Sequence, residues 1–163
     1  MTEAEISVYI ERKLKVSLDE RWLKCVAQKA LEVEGITAPV EMGLVITDAD
    51  TVRQLNRTYR GEDKATDVLA FYTLSQTGQE HEPSFVTPPD GVRHLGEVVI
   101  SYPQAVQQAQ EQRHSIEKEL TLLTVHGVLH LLGHDHEQLE QRRRMRAKEE
   151  EILKKLEAAK SKK

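Results

Sequence analysis

The chain has 163 residues, of which 39% are hydrophobic and 31% are charged, and this length fits one domain with a core of its own. Aromatic residues make up only 4%, which disfavours a nucleic-acid surface built from many Phe and Tyr side chains. A single cysteine, Cys25, excludes a disulfide framework and a Cys-rich zinc finger. The net charge of −4 disfavours nucleic acid as a partner only weakly, because residues 137–163 carry 10 Lys and Arg against 6 Asp and Glu.

Hydrophobic periodicity predicts strands and helices that follow one another along the chain. In chain order we predict a strand at 6–10, a helix at 19–34, a strand at 40–46, a helix from 48 to about 61, a short strand at 68–72, a polar loop at 75–92, a strand around 98–100, a helix at 103–113, a helix at 115–133 and a charged helix at about 137–158. The interleaved order indicates an α+β or α/β domain with a small sheet. We expect a single domain over residues 1–158 and a basic tail over 159–163.

The first residues are acidic and carry no apolar run, so no signal peptide is predicted. No stretch approaches the roughly 20 apolar residues of a membrane-spanning helix. We therefore expect a cytoplasmic protein with no membrane partner.

Four of the seven histidines lie within residues 126–136. Because residues four apart on a helix lie one turn above each other, His126 and His130 can present two imidazoles to one metal ion. A continued helix would carry His136 off that face. Gly133 can take the left-handed conformation that turns the chain back, and His136 then becomes the third ligand.

His134 is the competing third ligand, because it would stay near the metal face if the helix continued. Gly133 favours His136 instead, and leaves Asp135 on the turn, where its carboxylate can orient a ligand histidine. Three imidazoles with an open fourth position are typical of a catalytic zinc site. The pattern predicts one zinc ion per chain, held by His126, His130 and His136.

The histidine spacing equals that of the metzincin peptidases, whose pattern is His-Glu-x-x-His-x-x-Gly-x-x-His. The glutamate that acts as general base in that pattern is Gly127 here. Because peptide hydrolysis then lacks its usual base, a zinc-dependent peptidase remains only as an alternative.

Three segments carry motifs. They are the histidine segment 126–136, residues 55–71 with Leu-Asn-Arg-Thr-Tyr-Arg and Asp-Lys-Ala-Thr-Asp-Val-Leu-Ala-Phe, and residues 95–101 with Leu-Gly-Glu-Val-Val-Ile-Ser. Together they resemble the signatures of the YbeY family, bacterial single-domain endoribonucleases of rRNA maturation. The sequence departs from the family pattern at Ala65, Ala70, Glu97 and His134. None of these four is a predicted ligand.

The resemblance implies an α+β fold in which a small mixed sheet and helices surround a metal-bearing cleft. It implies a zinc-dependent, single-strand endoribonuclease, a hydrolase that matures the 3′ end of 16S rRNA and acts in ribosome quality control. The expected partners are the small-subunit rRNA precursor and the ribosome or its assembly factors, with no DNA. Arg60 matches the family's functional arginine, and a guanidinium can bind the oxygens of a phosphoryl group in a fork.

Other residues are weaker candidates. Asp135 and Glu97 are possible general bases. The loop residues Lys64, Thr66 and Asp67 either shape the cleft or serve ordinary turn chemistry. The basic residues Arg142, Arg143, Arg144 and Arg146 either contact RNA or pair within their helix, as Glu140 and Arg144 would. A non-catalytic ribosome-assembly factor with a structural zinc remains a further alternative.

Overall fold

A computed structural model describes residues 4–36, 39–61, 66–72, 93–133 and 139–161. The strands are β1 (Ala4–Ile10), β2 (Val40–Thr47), β3 (Val68–Tyr72) and β4 (Arg93–Ser101), and the helices are α1 (Glu20–Val33), α2 (Ala49–Arg60), α3 (Tyr102–Gln112), α4 (Ile116–Leu131) and α5 (Leu139–Ser161). All the predicted helices and strands are confirmed. One short 3-10 turn, Arg12–Leu14, was not predicted, and the predicted loop at 75–92 lies outside the described residues.

The four described strands form one mixed sheet in the order β1-β2-β4-β3. β1, β2 and β4 are parallel, whereas β3 pairs with β4 in the antiparallel direction and lies at the edge. Parallel neighbours need crossover connections, and α1 supplies the one between β1 and β2. The predicted α+β class with a small mixed sheet is confirmed.

Helix starts follow the capping residues of the sequence. Asp19, Asp48 and Ser115 each accept a hydrogen bond from a backbone N–H in the first turn of the helix they precede. The bond from the Thr51 N–H to Asp48 Oδ1 is 2.7 Å long and holds the pKa of that carboxyl below its usual range. Asp48 therefore fixes the start of α2, the helix that ends at Arg60.

The two faces of the sheet bury different cores. Alternate residues such as Val98 and Ile100 of β4 join the large core with α1, α4 and α5. Their neighbour Val99 faces the opposite side, where it packs with Leu69 of β3 and Val52 of α2. As a result α2 and α4 lie on opposite faces of the β3–β4 edge.

The C-terminal helix α5 packs onto the large core through Met145, Ile152 and Leu156, all of which are buried. Lys148 Nζ lies 3.6 Å from Glu34 Oε2 and links α5 to the end of α1. Among the helices that the structure describes, none is long and apolar enough to cross a membrane.

Candidate metal centre

His126 and His130 meet on the last turns of α4, as the sequence predicts. Their Nε2 atoms are 3.2 Å apart, and the rings cross at 65° with centroids 4.7 Å apart. Both side chains are half-buried. Two imidazole nitrogens are thus directed at one region of space, where one ring's N–H can donate to the other ring's nitrogen.

This separation agrees with the geometry of a bound zinc ion. Zinc–nitrogen bonds of about 2.0–2.1 Å at tetrahedral angles place two ligand nitrogens about 3.3–3.4 Å apart. The observed 3.2 Å differs from that by a few tenths of an ångström at most. Because imidazole also suits zinc chemically, the pair fits two ligands of such a site.

The third predicted ligand, His136, lies outside the described residues, as do His134 and Asp135. Within the described ranges no group of three His, Cys, Asp or Glu side chains is arranged to hold a metal ion. The helix ends where predicted: Gly133 has a φ of +99° and its N–H donates to the His130 carbonyl. The chain therefore leaves the helix just before the segment that carries His136.

Glu149 of α5 lies behind His126 on the side away from His130. Its Oε2 atom is 3.7 Å from His126 Nδ1, which is ion-pair distance, and both side chains are half-buried. Histidines that bind metals commonly hold a carboxylate at the other ring nitrogen, which fixes the ring's orientation and tautomer. Asp135, the carboxylate that the sequence predicts for this role, lies outside the described residues, and Glu149 is a further candidate that only the packing of α5 brings close.

Gly127 has a structural requirement that a metzincin glutamate would violate. It is buried where α4 crosses β4, and a Cβ atom built on it would lie 2.4 Å from Cγ1 of Val98. Any larger residue would push the helix away from the sheet. At the position of the metzincin general base, this chain therefore has a glycine whose backbone packs closely against Val98.

Arg60 is the last residue of α2, and Gly61 ends the helix with a φ of +72°. Tyr59, the residue before it, contacts Phe71 on β3, so this end of α2 lies beside the edge strand. The histidine pair belongs to α4 on the other face of that edge. The Arg60 side chain and Lys64 lie outside what the structure describes.

The other loop candidates have structural roles. Asp67 accepts hydrogen bonds from the Val68 N–H at 2.8 Å and from Gln108 Nε2 at 3.1 Å, which fix the start of β3 against α3. Thr66 donates to the same carboxylate. These contacts favour turn chemistry over a role in the cleft.

Glu97 lies on the face of the sheet opposite to the one that packs against α4. A Cβ atom built on Gly43 would lie 3.2 Å from Cγ of Glu97, and Glu97 is opposite Phe71 on the neighbouring strand. Glu97 therefore lies on the α2 face of the sheet. The suggestion of Glu97 as a general base stays a prediction, and Glu97 shares its face of the sheet with α2, the helix that ends at Arg60. On α5, Arg143, Arg144 and Arg146 are exposed.

The fold and the histidine pair define an α+β protein with a candidate metal centre at the end of a buried helix. The model of the family described as "Endoribonuclease YbeY" matches residues 6–157. An endoribonuclease YbeY of Dehalococcoides mccartyi is 43% identical over 137 residues, covering 83% of this chain and 80% of the relative. One from Roseiflexus sp. is 40% identical over 156 residues, covering 95% and 94%. The chain belongs to the YbeY family of endoribonucleases.

A solved structure supports the fold independently. The solution structure of TM1509 from Thermotoga maritima matches 97% of this chain and 95% of its own length, with a TM-score of 0.55 and 24% sequence identity. At this identity the likeness concerns the fold alone.

Proposed function

We propose that this protein is a zinc-dependent endoribonuclease that cleaves single-stranded RNA in the cytoplasm, with the 3′ end of precursor 16S rRNA as its substrate and ribosome quality control as its wider role. Family membership supports the endoribonuclease class. The 3.2 Å approach of the His126 and His130 Nε2 atoms carries the metal part of the proposal. Ribosomes or assembly factors are the partners this role requires.

His126, His130 and His136 would hold the zinc ion. When bound, zinc supplies Lewis acidity that activates water near neutral pH and polarises a phosphoryl oxygen. Glu149 would orient His126 through its negative charge, which lies 3.7 Å from Nδ1 and favours the ring orientation that leaves Nε2 for the metal. Because His126 and Glu149 are both half-buried, water competes less for the contact between them.

The reaction is the hydrolysis of a phosphodiester. Water adds to phosphorus, the bond to one ester oxygen breaks, and a proton from water passes to the departing oxygen. Negative charge rises on the phosphoryl oxygens during this step. Arg60 would stabilise that charge, because a guanidinium binds two phosphate oxygens at once and stays protonated.

The buried backbone contact of Gly127 with Val98 weighs against the peptidase alternative, because no general base fits at that position. A structural zinc would need a fourth protein ligand in place of the open position. Metal removal distinguishes a catalytic zinc from a structural one, because a catalytic zinc is needed for turnover even when the protein is still folded.

Single-turnover cleavage of a small-subunit rRNA fragment by saturating, metal-loaded protein tests the proposal. We expect Arg60→Ala to keep the fold and the metal but to slow cleavage by about a hundredfold or more. Arg60→Lys should restore only part of the rate, because it keeps the charge and loses the fork.

Arg143→Ala is the matched control, since this exposed arginine lies on α5. It should change the affinity for RNA and its salt dependence while saturated turnover stays the same. Full-rate cleavage by Arg60→Ala would refute the role of Arg60. Full activity of metal-free protein would refute the zinc mechanism.

A further inference from the structure

The C-terminal helix α5 has two flanks, one on each side of its buried stripe. The buried stripe consists of Met145, Ile152 and Leu156. On one flank, Lys148 Nζ lies 3.6 Å from Glu34 Oε2 at the end of α1. On the other flank, Glu149 Oε2 lies 3.7 Å from His126 Nδ1 on α4. These two contacts define an α1 flank and a histidine flank.

Two exposed arginines of α5 lie on opposite flanks. Successive residues of an α-helix are about 100° apart around its axis. Counted from the buried stripe, Arg146 is about 100° round on the side of Glu149, whereas Arg144 is about 100° round on the side of Lys148. Both arginine side chains are exposed. The two arginines are therefore equally far from the core, but only Arg146 shares a flank with the histidine pair.

Helix α5 runs antiparallel to α4. Gly133 and Leu139 are six residues apart in the chain, and six extended residues span at most about 22 Å. Because Glu149 is level with His126, a parallel α5 would separate the same two residues by about 25 Å along the helix axes. In the antiparallel arrangement Arg146, which lies one turn before Glu149, is directed toward the C-terminal end of α4, where the second histidine of the pair lies.

Positive charge is concentrated at this end of the histidine flank. Arg142 lies one turn before Arg146 on the same flank and is also exposed. The carboxylate of Glu149 faces His126, and the exposed acid Glu150 lies farther along α5, away from this end. Within the part of the chain that the structure describes, Arg146 makes no ion pair. Its guanidinium can therefore bind an anion.

We propose that Arg146 binds a backbone phosphate of the RNA strand beside the phosphate that is cleaved, and thereby positions the strand at the histidine pair. The inference rests on the proposed function, because it takes RNA as the substrate and the histidine pair as part of the metal centre. A guanidinium binds phosphate oxygens in a fork and stays charged. Contacts with phosphates fix the register of a strand without reading its bases, so Arg146 would act on strands of any sequence.

The first test measures the affinity of the full-length, zinc-loaded protein for a short unstructured RNA. Fluorescence anisotropy gives Kd at several salt concentrations, and a gel checks the integrity of the strand. Arg146→Ala should weaken binding by about tenfold, since this is the usual effect of losing a hydrogen bond to a charged group. It should also lower the slope of log Kd against log salt by about 0.7, the effect of one lost phosphate contact on a single strand.

Arg144→Ala is the matched control, because it removes the same charge at the same distance from the core on the other flank. Its affinity and salt slope should stay close to those of the original protein. Arg146→Lys should keep the salt slope and recover part of the affinity, because it keeps the charge and loses the fork. A purely structural role of Arg146 would change the thermal melt and leave the salt slope as it is.

The second test locates the phosphate. Strands with one uncharged methylphosphonate linkage, placed at each position in turn, are bound to the original protein and to Arg146→Ala. One linkage should weaken binding to the original protein by about tenfold but hardly affect Arg146→Ala, which already lacks the partner of that phosphate. We expect this linkage to lie next to the bond that the original protein cleaves in the unmodified strand.

The inference is overturned if Arg146→Ala and Arg144→Ala have the same affinity and salt slope. It is also overturned if no linkage distinguishes the original protein from Arg146→Ala, or if the linkage that does so is remote from the cleaved bond. If the original protein cleaves RNA and one of these results is found, the Arg146 site fails and the proposed function stands. If the original protein neither binds nor cleaves single-stranded RNA, both fail.

Discussion

The two ends of α4 each carry a histidine contact, and the contacts differ in kind. Before the first turn, His114 Nε2 lies 2.6 Å from Glu119 Oε1, and the glutamate is buried. At the last turns, His126 and His130 bring Nε2 atoms together at 3.2 Å. The first pair joins a donor to an acceptor. The second joins two groups of the same kind.

The difference shows how structural histidines can be told from candidate ligands. A histidine and a carboxylate satisfy each other, and the buried carboxylate requires that partner. Two neutral imidazoles share at most one proton between the facing nitrogens, whereas a metal ion can accept a lone pair from each. The His114–Glu119 pair therefore stabilises the fold, and the His126–His130 pair is suited to bind zinc.

Replacing the carboxylate behind His126 should have the larger effect on the metal end of α4. Glu149→Ala should weaken zinc binding by about ten- to a hundredfold, because His126 loses the partner that orients its ring. Competition against a zinc-sensitive dye measures the dissociation constant. Glu150→Ala is the control, since this exposed neighbour should bind zinc normally. If the original protein, Glu149→Ala and Glu150→Ala bind zinc with equal affinity, Glu149 has no role in the metal site.

Replacing the carboxylate at the other end should affect stability alone. Glu119→Ala leaves His114 without its bond and should lower the free energy of unfolding by about 1–3 kcal/mol, with zinc affinity unchanged. Glu117→Ala is the control, because Glu117 is an exposed acidic residue of the same first turn. Urea denaturation of the zinc-loaded proteins measures the free energy of unfolding of both variants. Equal losses would mean that the helix terminus, and not the His114 contact, needs the negative charge.

Local patterns predicted the elements because their causes are local. The capping side chains Asp19, Asp48 and Ser115 start helices where expected, and Gly133 ends α4. The approach of His126 and His130 follows from helical spacing alone. These features need no knowledge of distant residues.

Features that depend on distant parts of the chain could not be predicted. Strand pairing sets the order in which β4 lies between β2 and β3, and only this order places Glu97 on the face away from α4. Glu149 reaches His126 because α5 folds back onto α4, a contact that a charged helical sequence does not reveal. The sequence showed that Gly127 replaces a catalytic glutamate, but the approach of Val98 explains why glycine is needed there.

The proposed zinc site consists of three histidines, His126, His130 and His136. The most direct test is the zinc content per chain of four purified alanine variants, measured by elemental analysis after washing with a weak chelator. We expect His126→Ala, His130→Ala and His136→Ala to lose the metal and His134→Ala to keep it. Retained zinc in His136→Ala together with lost zinc in His134→Ala would contradict the ligand assignment, and zinc in none of the proteins, the original included, would contradict the metal site itself.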